Sequence, residues 1–219
     1  MLRLAHVYSG AMAACGNEHT AVVTEDGRLW TWGDGSEGRL GHGDMEPRVE
    51  PQQIACNTMR GRVLLAALGG IHSAAVMEDG RLFTWGYGED GALGQPKPYR
   101  PGFRDFNEKE TRPTPTLIDP SCFGGGRVAM AACGLVLSSV RTRMWLACFA
   151  RLLLHLQHLA QGFTSAVLED GQLFTWGLGH HGVLGHNDAR DRRLPAPVPR
   201  ALLGGRGVEM VACGHFHIV

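Results

Sequence analysis

Residues Trp32 to Gly41 read Trp-Gly-Asp-Gly-Ser-Glu-Gly-Arg-Leu-Gly. Gly33, Gly35 and Gly38 have the Gly-x-Gly-x-x-Gly spacing with which a dinucleotide-binding loop lets backbone approach a pyrophosphate. That chemistry needs a strand before the glycines and, after them, a helix whose N-terminal amides face the charge. Arg28-Leu-Trp-Thr-Trp32 alternates and is aromatic and β-branched, so a strand is expected there. Arg39 to Arg48 holds two further glycines and a proline and has no run able to nucleate a helix. The string also returns twice, as Trp-Gly-Tyr-Gly-Glu-Asp-Gly-Ala-Leu-Gly ending at Gly94 and Trp-Gly-Leu-Gly-His-His-Gly-Val-Leu-Gly ending at Gly185. Recurrence at a fixed period assigns the glycines to architecture.

Cysteine and histidine are the other residues able to hold a metal or attack a substrate. Cys15, Cys133 and Cys213 share one repeat position that is Leu68 in the second unit, and a position that accepts leucine is a packing position. Cys56, Cys122 and Cys148 show no Cys-x-x-Cys spacing, so a zinc site is not expected. His19 and His72 share a position held by Phe163 in the third unit, which favours packing and backbone hydrogen bonding over catalysis. No nucleophile, base and orienting group occur once and outside the repeat. The expectation is therefore no enzyme, no metal and no cofactor.

The elements that position these residues follow from the longer repeat. Glu25-Asp-Gly-Arg-Leu-Trp-Thr-Trp32, Glu78-Asp-Gly-Arg-Leu-Phe-Thr-Trp85 and Glu169-Asp-Gly-Gln-Leu-Phe-Thr-Trp176 align without a gap. Upstream lie Ala14-Cys-Gly-Asn-Glu-His19 and Ala67-Leu-Gly-Gly-Ile-His72, and a fourth start, Ala212-Cys-Gly-His-Phe-His217, reaches the end of the sequence. Each unit reads as a short apolar strand, a small-residue turn, a second strand, Asp-Gly, and a third strand ending at Trp-Gly. Asp-Gly between alternating runs predicts a two-residue type I′ hairpin with positive φ at both central residues. A fourth, outer strand is expected near Pro51–Ile54, Pro115–Ile118 and Pro195–Val198, where proline is tolerated at an edge. The repeat positions are thus Gly16 and Gly69; Asp26, Asp79 and Asp170 with Gly27, Gly80 and Gly171; Trp32, Trp85 and Trp176 with Gly33, Gly86 and Gly177; and Gly38, Gly91, Gly182, Gly41, Gly94 and Gly185. Apolar residues on both faces of the third strand require cover on both sides, which stacked propeller blades supply.

This series resembles the repeat of the regulator of chromosome condensation family, whose fold is a seven-bladed β-propeller. The family's last string commonly reads Trp-Gly-x-Asn-x-x-Gly-Gln-Leu-Gly; here Gly35, Gly88 and Gly179 replace the asparagine, and Arg39, Ala92 and Val183 replace the glutamine. The resemblance implies an all-β propeller of that type, with blade 1 at about 12–62, blade 2 at 63–127, blade 3 at 128–207 and the start of a fourth at 208–219. Propellers close with four to eight blades, so an open ring and a partial protein are expected.

The chain balances 21 basic against 21 acidic residues in 219, so it has no electrostatic footprint for sequence-independent binding to nucleic acid or an acidic membrane. The N-terminal Met-Leu-Arg-Leu-Ala-His-Val-Tyr lacks the apolar run of a signal peptide, and an intracellular protein, cytoplasmic or nuclear, is expected.

Two stretches break the repeat. Cys133 to Asp170 spans 37 positions where Cys15 to Asp26 spans 11, leaving residues 135–160 as an insert. Trp145, Phe149, Leu152, Leu156 and Leu159 fall at helical spacing within it, too short and polar to span a bilayer. A partner-binding helix, a helix packed on the propeller and translated non-coding sequence all remain open; His155 and His158 make at best a weak metal candidate. In the second unit the excursion Gln95–Arg112 carries Tyr99, Arg100, Phe103, Arg104 and Phe106, residue types enriched at interface hot spots. The resemblance implies a protein-interaction scaffold with protein partners. Its alternatives are a guanine-nucleotide exchange factor for a small Ran-like GTPase and a propeller segment of a large ubiquitin ligase. Light sensing, as in a plant photoreceptor of the family, is not expected, since Asn17-Glu18 and Gly70-Ile71 replace its tryptophan-bearing Gly-Trp-Arg-His-Thr string.

Overall fold

The computed structural model describes residues 12–55, 57–88, 91–96, 111–134, 136–137, 160–213 and 218. Its first sheet has the order β1 (Met12–Cys15), β2 (His19–Val23), β3 (Leu29–Gly33), β4 (Arg48–Gln53), and every neighbouring pair is antiparallel. The second repeats that order with β5 (Val63–Leu68), β6 (His72–Met77), β7 (Leu82–Tyr87) and β8 (Thr111–Leu117). In the third, β9 (Val128–Cys133) leads into a short antiparallel pair, β10 (Val136–Leu137) and β11 (Ala160–Gln161). The sheet is then completed by β12 (Phe163–Leu168), β13 (Leu173–Gly177) and β14 (Arg192–Pro197). The ends of the insert thus extend the β9–β12 hairpin as a two-stranded stem. An isolated bridge from Cys213 to Ile218 opens a fourth unit.

Sheets of this length bury both faces only by stacking, and the core lies between them. Ala21, Val23 and Leu29 of the first sheet pack against Val63, Ala66, Leu68, Ala75, Phe83 and Trp85 of the second. Leu65, Ala74, Val76 and Leu82 meet Val128, Ala131, Cys133, Ala166, Phe174 and Trp176 at the next seam, where the Phe123 ring stands edge-on to Phe174 with centroids 5.3 Å apart. Val167, Leu173 and Val198 pack with Val211 beyond the third sheet. β6 and β12 are buried at all six positions, whereas β1 alternates half-buried and exposed. The ring is therefore open, with the first sheet presenting one face uncovered by any described residue.

The Asp-Gly hairpins differ from the type I′ expectation. Gly27, Gly80 and Gly171 have φ of 79°, 83° and 79°, while the aspartates before them do not have positive φ. Gly27 N–H donates to Thr24 O and Thr24 N–H to Arg28 O, and the other two hairpins repeat both bonds. The connection is a three-residue loop closed by a left-handed glycine, so only the glycine needs its conformational freedom. The glycines also permit close approach: a Cβ at Gly27 would lie 2.7 Å from Arg62 Cβ and one at Gly80 2.5 Å from Arg127 Cβ.

Among the described residues, no α-helix begins after Trp-Gly. Ser36–Gly38 and His180–Gly182 form single 3₁₀ turns with matching left-handed residues, Glu37 at φ 56° and His181 at φ 58°. Gly33, Gly86 and Gly177 agree at φ of 111°, 100° and 102°. The first and third segments share one conformation, the second agrees with them at its Trp-Gly, and none shows among its described residues the helix a pyrophosphate site requires.

Strand direction alternates, so the β1–β2 and β3–β4 connections and their equivalents lie at one end of the sheets, and the Asp-Gly hairpins lie at the other. This places both departures from the repeat together. The excursion between β7 and β8 and the insert between β10 and β11 leave from the same end, in neighbouring blades.

Candidate interaction surface

The seams that fix this surface are built from side chains the sequence places in register. Trp85 Nε1–H donates to Arg39 O and Trp176 Nε1–H to Ala92 O, both at 2.9 Å, so each indole is tied to the glycine loop of the preceding blade. The same carbonyls accept from hydroxyls: Ser73 Oγ from 2.8 Å onto Arg39 O, and Thr164 Oγ1 from 2.8 Å onto Ala92 O. A hydroxyl has one proton, so these oxygens are left to accept from the histidine of the preceding blade. His19 Nε2 lies 2.9 Å from Ser73 Oγ and His72 Nε2 3.1 Å from Thr164 Oγ1. The first two seams are thus each latched by histidine, hydroxyl, carbonyl and indole.

The latch explains Gly16, Gly69 and Gly134, whose backbones lie directly against the ring that follows. A Cβ at Gly16 would come within 2.3 Å of His19 Cε1, one at Gly69 within 2.5 Å of His72 Cε1, and one at Gly134 within 2.2 Å of Phe163 Cζ. Burial keeps both imidazoles neutral, lowering His72 to about 4 and His19 to about 3, the latter also through the charge of Arg39. The histidines were expected to hydrogen-bond backbone; His72 does so at Phe163, and both also bond to side-chain hydroxyls of the next blade.

Within each blade a second set holds the loop shut. Thr31, Thr84 and Thr175 each donate Oγ1–H at 2.7 Å to Leu40, Leu93 and Leu184 O. His42, Gln95 and His186 approach the same hydroxyls at 3.0, 3.1 and 2.8 Å. The loop of one blade then rests on the outer strand of the next: Gly43 N–H donates to Pro113 O, and Thr111 Oγ1–H to Glu37 Oε2. A Cβ at Gly38 or Gly91 would lie 2.5 Å from the Cα of Pro113 or Arg193, so these glycines mark the contact between loop and neighbouring strand.

Arg39, which replaces the family's glutamine, is 5% exposed. Its Nη1 lies 3.2 Å from Asp34 and 3.7 Å from Glu18 and donates to Gly70 O across the seam. The equivalent positions in the second unit are Ala92, Tyr87 and Ile71, and in the third Val183, Leu178 and Gly162. The three charges therefore come and go as a set, a covariation visible in the sequence once the three positions are taken together.

At the Asp-Gly end, Arg62 Nη2 donates to Glu25 O and its Nε lies 3.9 Å from Glu78; Arg127 Nη2 donates to Glu78 O and its Nε lies 3.4 Å from Glu169. These pairs are half exposed and contribute little individually. Asp188 is held at about 2 by Arg192, which bonds both its oxygens. Cys133 is buried with its thiol pushed well up by desolvation, and Cys213 is raised to about 11 by the same cause, so neither is a nucleophile. Among the described residues no group of three or more His, Cys, Asp or Glu could hold a metal ion, and no helix is long and apolar enough to cross a membrane.

Of the residues expected to bind a partner, Tyr99, Arg100, Phe103, Arg104 and Phe106 lie outside the described residues, as does the expected helix at 144–159 with His155 and His158. The strands on either side of them are described, and they fix the end of the sheets from which both stretches leave.

Four-stranded antiparallel sheets stacked face to face around an axis, each latched to the next through its loop, define a β-propeller, here with its ring open. The regulator of chromosome condensation (RCC1) repeat matches residues 26–76, 79–138 and 170–219, and the chain belongs to that family. It is 32% identical over 183 residues to the ultraviolet-B receptor UVR8 of Arabidopsis thaliana, covering 83% of this chain and 32% of the receptor. It is 30% identical over 234 residues to the E3 ubiquitin-protein ligase HERC2 of Homo sapiens, covering 94% of this chain and 4% of the ligase. The fold is that of Prp20p from Saccharomyces cerevisiae, a protein described with its binding to Gsp1p and histones. That likeness has a TM-score of 0.69 at 21% identity and covers 93% of this chain and 41% of Prp20p. The chain thus spans less than half the length of each.

Proposed function

We propose that this chain is a protein-interaction scaffold, with no catalytic role of its own, whose working surface is the end of the sheets from which residues 97–110 and 135–159 leave. The observation that carries this reading is topological. The repeat is kept closely elsewhere, and its two departures exit side by side from one end, between β7 and β8 and between β10 and β11. Aromatic and arginine side chains on loops carried by a rigid frame are where binding energy concentrates. Affinity capture with the whole chain should retain specific protein partners, and Tyr99→Ala with Phe103→Ala should release at least one while leaving the melting transition unchanged. Capture unaffected by the pair would remove the loop from the surface. The cytoplasm or nucleus is the compartment this reading assigns.

The likeness to Prp20p, which binds Gsp1p, favours a second reading, nucleotide exchange on a small GTPase. Accelerated release of a fluorescent guanine nucleotide from a Ran-type GTPase is its test, and release at the uncatalysed rate excludes it. The likeness to HERC2 supports a third, a propeller segment within a ubiquitin ligase.

A further inference from the structure

We propose that the uncovered face of the first blade accepts another blade of this repeat, and that the residue at the histidine position decides which one: a blade carrying histidine fits, and one carrying phenylalanine does not.

The face is formed by Ala13, Cys15, Thr20, Val22, Trp30 and Trp32, of which Ala13 and Cys15 are exposed and the other four half-buried. The register of the repeat equates them with Ala66, Leu68, Ser73, Ala75, Phe83 and Trp85, all buried under the first blade. The first blade covers those residues. The first blade supplies an apolar sheet, the Arg39 carbonyl for the Trp85 indole, and His19 for the Ser73 hydroxyl. The second does the same for the third with Ala92 O and His72. Thr20 and Trp32 ask for the same two groups, and no described residue offers them. The face carries no charged side chain, which suits an apolar sheet and not an ionic partner.

The third seam shows that the pair changes together. Phe163 occupies the histidine position there, and the residue of the next unit aligned with Ser73 and Thr164 is Ile218, which packs against the cluster of Phe163, Leu178 and Leu184. Histidine faces a hydroxyl twice, and phenylalanine faces an aliphatic side chain once. The physical reason is the asymmetry of buried polar groups. A hydroxyl under phenylalanine loses its donor, and a histidine over isoleucine buries an unpaired ring nitrogen. Any blade with the glycine loop can offer Trp32 a carbonyl, so Thr20 is the residue that discriminates.

The test extends the chain in register. Residue 9 aligns with Arg62 and Arg127, so replacing residues 1–9 with a second copy of residues 63–127 places a histidine-bearing blade ahead of Gly10. The Trp32 indole N–H, assigned by Trp32→Phe, should then exchange with solvent about tenfold more slowly or better, matching Trp85 and Trp176. Changing the histidine of the added copy to phenylalanine should return Trp32 to the fast rate, and adding Thr20→Ile should slow it again. Protection indifferent to that choice, or absent with the histidine copy, overturns the proposal. So does protection of Trp32 in the unextended chain that rises with protein concentration, which would put a second copy on the face. A measurement in the chain as it stands covers failure of the extension to fold. His72→Phe and Thr164→Ile should each lower the urea midpoint, and the double variant should recover more than half of the loss. A double variant at or below the lower single refutes the pairing rule.

Discussion

The Trp176 indole donates its N–H at 2.9 Å to the carbonyl of Ala92, 84 residues earlier, and Trp85 does the same to Arg39. In the second and third blades one tryptophan thus carries both a large apolar surface and a directed bond across the seam. Trp32, aligned with both, meets no such carbonyl among the described residues.

Trp85→Phe and Trp176→Phe should therefore each cost about 1–3 kcal/mol, because a buried carbonyl loses its donor and part of the ring volume goes with it. Trp32→Phe should stay within about 1 kcal/mol. Urea unfolding of the three variants checks the contrast. Equal losses would mean that the first blade is covered like the others.

Gly69→Ala should be damaging although alanine is the smallest change available. Its Cβ would sit 2.5 Å from His72 Cε1 and 2.8 Å from Gly134 O, and the ring is pinned by Thr164, so about 1–3 kcal/mol is expected from overpacking. Gly125→Ala meets nothing within 4 Å and carries only the penalty of its φ of 78°, about 1 kcal/mol. Thermal melts of both variants test the ranking.

Stability should fall on mild acidification. His72 and His19 are lowered to about 4 and about 3, whereas in the unfolded chain they bind protons near the ordinary 6.5. Between those values the unfolded state holds more protons, so the stability present above about pH 6.5 is lost progressively down to about pH 4 for His72 and pH 3 for His19. The slope is about 1.4 kcal/mol per pH unit for each histidine. Urea midpoints at about pH 7 and pH 5 measure it, and His72→Gln should flatten the dependence, with His19, His42 and His186 supplying the rest. A midpoint unchanged over that window would show that the imidazoles are not buried neutral.

Thiol labelling should separate cysteines of the same repeat position. Cys15 is exposed on the uncovered face, while Cys133 is 8% exposed with its thiol held protonated by burial. Maleimide at neutral pH should modify Cys15 about a hundredfold faster or better than Cys133, with Cys133 reacting only after unfolding. Peptide mass spectrometry reads both sites.

The blades were legible because each is local: alternation, Asp-Gly and Trp-Gly fall within a few dozen residues and return in register. The outer strands followed from proline at edges, and the packing role of the cysteine position followed from Leu68. The hairpin type was misread because Asp-Gly is compatible with two loops. The choice of a three-residue loop closed by Gly27 is made by the pairing of Val23 with Leu29 and by Arg62 lying over the turn. The covarying charges Glu18, Asp34 and Arg39 were present in the sequence but meaningful only once they met at one seam.

The sequence by itself determined the repeat, the fold class and the absence of a nucleotide helix after Gly38, since periodicity and turn chemistry are properties of neighbours along the chain. Only the tertiary structure decided that His19 answers to Ser73, that Trp176 answers to Ala92, and that the two irregular stretches leave from one end. These are contacts across seams, made by residues dozens of positions apart, and no local propensity encodes the partner that a buried donor finds.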